Sequence, residues 1–173
     1  MSGAVNEPGG AATGLPRAGD EPRSGQARRV VGLIGRIVLM VLLGYVLFYA
    51  YQVGDPRATK TMVILGQMHG DEHAGVDITQ AIRHGAQVQG INLWVIPTIN
   101  PDGNAGHVRR NARGVDLNRN WSWSWRSSSR SSPYYSGPRA WSEPETREFA
   151  TFLRYVKPTW LVSLHQPLYG VDR

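Results

Sequence analysis

The hydrophobic pattern divides the chain into an unpatterned start, one long apolar run and a region of alternating short periods. Residues 1–29 are rich in Gly, Ala, Pro and Ser and almost free of large apolar side chains. Such a segment buries too little surface to offset its ordering entropy, and it predicts a disordered cytoplasmic tail. From Val30 to Val53 the chain turns apolar, with Arg36 as its only charge. A bilayer span needs roughly 20 apolar residues. Residues 30–53 therefore predict a transmembrane signal-anchor helix, with Arg36 snorkelling near its start and Tyr45, Tyr49 and Tyr51 toward the far interface.

Arg23, Arg28, Arg29 and Arg36 precede or open that run, against Arg57 and Lys60 beyond it. The positive-inside rule then places a single-pass protein in the cell membrane, N-terminus cytoplasmic and the remainder extracytoplasmic. A cleaved signal peptide and a secreted product form the competing reading. A buried helix of a soluble protein is the plainest one.

After a linker at residues 54–60, the periods shorten. Thr61–Leu65 is β-branched and apolar and predicts a strand; Ala74–His84 predicts a helix stopped by Gly85. Ile91–Pro97 alternates as a second strand and runs into Asn100-Pro101-Asp102-Gly103, a turn signal. Arg109 to Trp121, dominated by Arg and Asn, has no apolar face and predicts a loop. Ser122–Ser136 is low in complexity, built of Ser, Trp and Arg, and predicts a variable surface loop. Ser142-Glu143-Pro144-Glu145 has the form of a capping box, with Ser142 at the N-cap. The helix behind it places Phe149, Phe152, Leu153 and Val156 on one side, and leaves Glu143, Glu145 and Glu148 as first-turn charges facing the helix dipole. Pro158 ends it. Trp160–Leu164 is a third strand, with His165 at its end. Strand–helix–strand order predicts an α/β fold over residues 61–173.

Composition narrows the chemistry. The 173 residues carry 19 Lys and Arg against 13 Asp and Glu, a net charge of +6, and no cysteine. Without thiolates, any metal is held by His, Asp or Glu. The basic excess sits at the ends of the apolar run and in one loop, so it is weak support for a nucleic-acid partner. None is expected.

The chemistry converges on Gly66-Gln67-Met68-His69-Gly70-Asp71-Glu72-His73, the loop that the first strand delivers. His69 and Glu72, three apart with Gly70 to bend the backbone, suit a single metal ion. His165 is a natural third ligand, because the end of one strand can lie beside the end of another. The Arg-rich loop supplies planar forks that match a carboxylate.

Six blocks in order resemble the M14, carboxypeptidase A-like, class of zinc carboxypeptidases, and above all the small bacterial branch that includes murein peptide amidases. They are His69-Gly70-Asp71-Glu72, Asn100 to Gly103, Asn111 to Asn120, Tyr134 to Pro138, Ser142 to Thr146 and Ser163-Leu164-His165. The resemblance implies a mixed sheet flanked by helices, and one zinc ion on His69, Glu72 and His165. It implies Asn118 and Arg119 as the clamp on a substrate's terminal carboxylate, and Arg109 as the group that polarises the scissile carbonyl, with Arg110 as competitor. It implies hydrolysis of an amide bond next to a free carboxylate, in a peptide or murein peptide. The family's general-base glutamate lies well after the third ligand. Here the sequence ends eight residues past His165, and Asp172 is the only later carboxylate. This predicts a fragment of a longer protein or, failing that, a membrane-anchored module that binds zinc and peptide without cleaving. A rival metal site is the H-x-x-E-H pattern of His69, Glu72 and His73, which needs a helix through the motif.

Overall fold

The computed structural model describes residues 37–42 and 45–166. Five strands form one sheet. In chain order they are β1 (Ile37–Leu42), β2 (Tyr45–Gln52), β3 (Thr61–Leu65), β4 (Asn92–Ile96) and β5 (Trp160–Ser163), and in space β1-β2-β4-β3-β5. The helices are α1 (Ala74–His84), α2 (Pro101–Gly106) and α3 (Pro144–Val156), with a single 3₁₀ turn at Leu117–Arg119. β2 runs antiparallel to both neighbours, while β3 is parallel to β4 and β5. The sheet is mixed, as expected.

The largest departure from the sequence reading is the apolar run. Its described part is not a membrane-spanning helix but a pair of antiparallel strands, Ile37 opposite Tyr51 through Leu42 opposite Tyr45, with an irregularity between Met40 and Val41. Tyr51 and Gln52 join the sheet opposite Val95 and Trp94. No helix among the described residues is long and apolar enough to cross a membrane. The physical reason lies in the covering of β2. Phe48 and Ala50 are buried beneath α3, where Phe48 meets Phe149 and Phe152 edge-on at 6.0 and 6.1 Å. Tyr49 and Tyr51 alternate with them and line a cleft with Val76 and Gln80 of α1, and Arg83 stacks on Tyr51. One face of β2 is apolar because α3 covers it, and the other carries aromatic rather than polar residues although Tyr49 stays 45% exposed, so the strand reads as one apolar run. The anticipated tail, the start of the anchor and Asp172 lie outside the described residues.

Elsewhere local pattern and structure agree. β3 and α1 have the expected bounds, and β3 buries Thr61, Val63 and Leu65 in alternation. The core gathers Val63, Leu65, Met68, Trp94, Ile96, Ile99 and Leu117 beneath Phe149 and Phe152, with Leu153 and Val156 packed against it. The Asn100 turn signal becomes a cap. The Asn100 side chain accepts from Gly103 N at 3.0 Å and opens α2, and its amide donates to the Met68 and Arg109 carbonyls at 3.1 and 3.2 Å. This buried residue bolts together three segments around the loop after β3.

The capping box does not form. Glu143, not Ser142, is the N-cap of α3 and makes no side-chain cap bond, while Pro144 takes the first helical position. Ser142 Oγ donates instead to Glu143 Oε1 at 2.6 Å and accepts from Asn120. Glu143 and Glu145 are buried rather than facing solvent, and both accept from the Asn111 amide. Burial lifts the Glu145 carboxyl above its ordinary value.

Two glycines set the shape of the loop after β3. A Cβ on Gly75 would run into the Gly66 carbonyl, and one on Gly70 into the backbone of Gly103. Backbone touches backbone on both sides of the loop.

Candidate metal centre

Parallel pairing brings the site together. Leu65 lies opposite Ser163, so β3 and β5 end side by side and their following loops share one edge of the sheet. His69 and Glu72 come from the first loop and His165 from the second. His69 Nδ1 lies 2.8 Å from Glu72 Oε1, and His165 Nδ1 lies 2.8 Å from Glu72 Oε2. The two rings are 4.9 Å apart between centroids. One donor atom from each of the three side chains falls within 4.8 Å of the other two. Two imidazole nitrogens and a carboxylate are the donor set of a catalytic zinc site, and all three face one point. The residues fit a zinc ion.

A fourth residue completes this arrangement. Asp116 is fully buried, and its Oδ1 lies 3.0 Å from His69 Nε2. It holds the far side of the ring and turns Nδ1 inward, the usual role of a carboxylate behind a ligating histidine. Asp116 Oδ1 also accepts from Asn118 N at 2.9 Å, and Oδ2 accepts from Arg109 Nε at 2.9 Å. Arg109 Nη1 is 3.9 Å from Glu72 Oε1, so this guanidinium stands at the centre. Its competitor, Arg110, points away and donates to the Ser132 carbonyl.

The electrostatics follow from this packing. Burial works to raise the Glu72 carboxyl, but His165 and His69 outweigh it and hold it at about 2. Burial likewise opposes the charge on Asp116, and His69 and Arg109 bring it below its ordinary value. For His69, burial pulls down, and hydrogen bonds to Asp116 and Glu72 raise it past 6.5. The sign of each shift sets a window. Depressed carboxyls stabilise the fold above their ordinary values, near 4.5 for Glu72, and that contribution fades as pH falls toward about 2. The raised imidazole contributes below 6.5 and its share fades as pH rises through the shifted value. Chelator-treated protein is expected to show its highest urea midpoint between these limits. A midpoint unchanged from pH 2 to 8 would contradict the ion-pair geometry.

Asn118 and Arg119 lie on the 3₁₀ turn and open onto a cavity of about 410 Å³. Tyr134 joins it to the centre, with the Arg109 and Arg119 guanidinium carbons 5.0 and 5.8 Å from its ring. The Ser/Trp/Arg segment, expected as a variable surface loop, walls the same cavity and is stitched by its serines. Ser128 Oγ lies 3.0 Å from Ser136 Oγ, Ser136 Oγ donates to the Arg126 carbonyl, and Trp125 Nε1 donates to the Ser136 carbonyl. His73 stands outside the donor group. It precedes α1 and its Nε2 lies 2.8 Å from His107 Nδ1, so the helical H-x-x-E-H arrangement is not formed.

Sequence reasoning missed the roles of Asp116, Asn100, Tyr134 and Gln166. Gln166 Oε1 accepts from Ala74 N at 3.0 Å and ties the His165 loop to the start of α1. The first three lie in motif blocks already singled out, but their partners are distant in sequence.

Residues 47–167 match the zinc carboxypeptidase family. Murein peptide amidase A of Escherichia coli K12 is 31% identical over 122 residues, covering 64% of this chain and 50% of that protein. The homologous amidase of Vibrio campbellii is 32% identical over 122 residues, 64% of this chain and 49% of the relative. The chain thus spans about half the length of the curated relatives it matches. Among solved structures, the murein-tripeptide amidase of E. coli O157 aligns with a TM-score of 0.60 at 28% identity, covering 75% of this chain and 59% of that one. Carboxypeptidase A of Helicoverpa armigera shares the fold, with a TM-score of 0.64 at 20% identity over 79% of this chain and 42% of its own.

Proposed function

The chain belongs to the zinc carboxypeptidase family, and on that premise we propose that it hydrolyses an amide bond beside a free carboxylate in murein peptides. The observation that carries this reading is the convergence of His69, Glu72 and His165 next to a cavity that opens on Asn118 and Arg119. When bound there, zinc would supply Lewis acidity toward water and the scissile carbonyl. Asp116 holds the His69 ring in place. Arg119 receives the terminal carboxylate in a charge-assisted pair and Asn118 adds an amide donor, which fixes the end of the peptide. Arg109, held by Asp116, presents its cationic side to the charge that develops on the carbonyl oxygen. The murein assignment rests on the names of the relatives, which are murein peptide amidases.

One observation favours a second reading. Among the described residues, the carboxylates at the centre are Glu72 and Asp116, and both are already engaged by His69, His165 and Arg109. Neither is free to take a proton from water. That pattern suits a module that holds zinc and a peptide end without turnover. A zinc-loaded sample mixed with a murein tripeptide separates the two, because release of the terminal residue requires the hydrolase. In either case Arg119→Ala is expected to weaken peptide binding by about tenfold or more, the range of a charge-assisted contact. Unchanged affinity in calorimetry would remove the clamp.

A further inference from the structure

We propose that His73 and His107 form a second metal site, separate from the His69, Glu72 and His165 centre, for a tetragonal transition ion of the copper(II) type. His73 Nε2 lies 2.8 Å from His107 Nδ1, and the ring centroids are 4.8 Å apart. Two imidazole nitrogens on neighbouring corners of a square, each about 2.0 Å from the ion, stand about 2.8 Å from one another. Around a tetrahedral ion with the same bonds they would stand about 3.3 Å apart. The observed spacing suits an ion that favours square nitrogen and oxygen sets. Copper(II) is such an ion, and it binds imidazole more tightly than the other divalent ions of its row.

Both nitrogens are open to this use. Gln67 Nε2 lies 3.5 Å from His73 Nδ1, too long a contact to dictate where the ring carries its proton. With the proton on Nδ1, the Nε2 lone pair is left for an ion. His73 is half-buried and His107 exposed, so water can fill the remaining corners. No third imidazole or carboxylate joins the pair among the described residues.

The frame beneath the pair is braced. His107 is the C-cap of α2 in the left-handed conformation, φ 52° and ψ 40°, with its N–H on the Asn104 carbonyl. Helices usually place Gly or Asn in that conformation; here it carries an imidazole that meets His73. His73 directly precedes α1, and its carbonyl accepts from Val76 N at 2.9 Å. The two segments touch through Gly70 and Gly103 and are fastened by the Asn100 amide. The donors are therefore presented at a set separation, which lowers the ordering cost of binding. His73 follows Glu72 and His107 comes two residues before Arg109, so an ion held there staples together the segments that carry these two groups.

The test is a copper(II) titration of the full chain already loaded with one equivalent of zinc. Electron paramagnetic resonance reads the copper, since zinc has a filled d shell and gives no signal, and released zinc is measured alongside. One further equivalent of copper is expected to bind while the zinc stays, with a tetragonal spectrum split by two nitrogens. His107→Gly removes the ring and suits the left-handed backbone, so it keeps the fold. It should lower copper affinity by about tenfold or more, as should His73→Gln, and both should retain the zinc. Copper uptake equal in the parent and the two variants would overturn the site. So would the absence of a further equivalent, or copper that enters only as zinc leaves.

Discussion

Replacing His69 by Ala is expected to lower zinc affinity by more than about a hundredfold, and His165→Ala to do the same. Each supplies one of three donors that lie within 4.8 Å of one another. Loss of an outer partner of a ligand costs about 10- to 100-fold, and loss of the ligand itself must exceed that. Asp116→Asn therefore provides an internal scale. It keeps a group behind Nε2 but removes the charge, and should fall between the parent and His69→Ala. Because Asp116 and Glu72 are buried against His69, the alanine variant will also lose stability, so His69→Gln is measured beside it. Competition with a chromogenic chelator reads the four variants against the parent. Stoichiometric zinc retained in both histidine variants would sink the ligand assignment.

Asn120→Ala is expected to destabilise the fold by about 3 kcal/mol, with no change at the metal ligands themselves. Asn120 is fully buried and uses its whole side chain. The amide donates to the Ser136 carbonyl at 2.7 Å, the Arg139 carbonyl at 3.1 Å and Ser142 Oγ at 2.9 Å. The oxygen accepts from Glu143 N at 3.0 Å and Thr146 Oγ1 at 2.9 Å. Several partners keep a second bond, but the Glu143 N–H at the start of α3 does not. A buried orphan donor costs roughly 1–3 kcal/mol, and the cavity left by the amide adds to it. Urea unfolding at constant slope measures the change. A loss below about 1 kcal/mol would mean that water replaces the amide.

That same residue shows where sequence reading stops. β3 and α1 were legible because a run of β-branched residues and a 3.6-residue stripe are local signals. His69, Glu72 and His165 were legible because strand ends deliver them. Ser142 has every local mark of an N-cap, yet Asn120, 22 positions earlier, takes its hydroxyl. Asp116 meets His69 across 47 positions, a separation that no periodicity encodes. The β1–β2 pair failed for a related reason. Its uninterrupted apolar character describes a sheet strand packed under a helix as well as it describes a bilayer span, and only the partners of Phe48 and Tyr51 distinguish them.

The backbone contacts of Gly70 with Gly103, and of Gly66 with Gly75, bear on how the ion is received. The loop that carries His69 and Glu72 is wedged between a neighbouring helix start and the first turn of α2, with Asn100 fastened across its base. Its conformational entropy is surrendered when the chain folds. Little remains to be lost when an ion arrives, and a preorganised donor set turns more of its gross attraction into affinity. The same rigidity disfavours large cations, since the loop cannot widen without parting main chain from main chain.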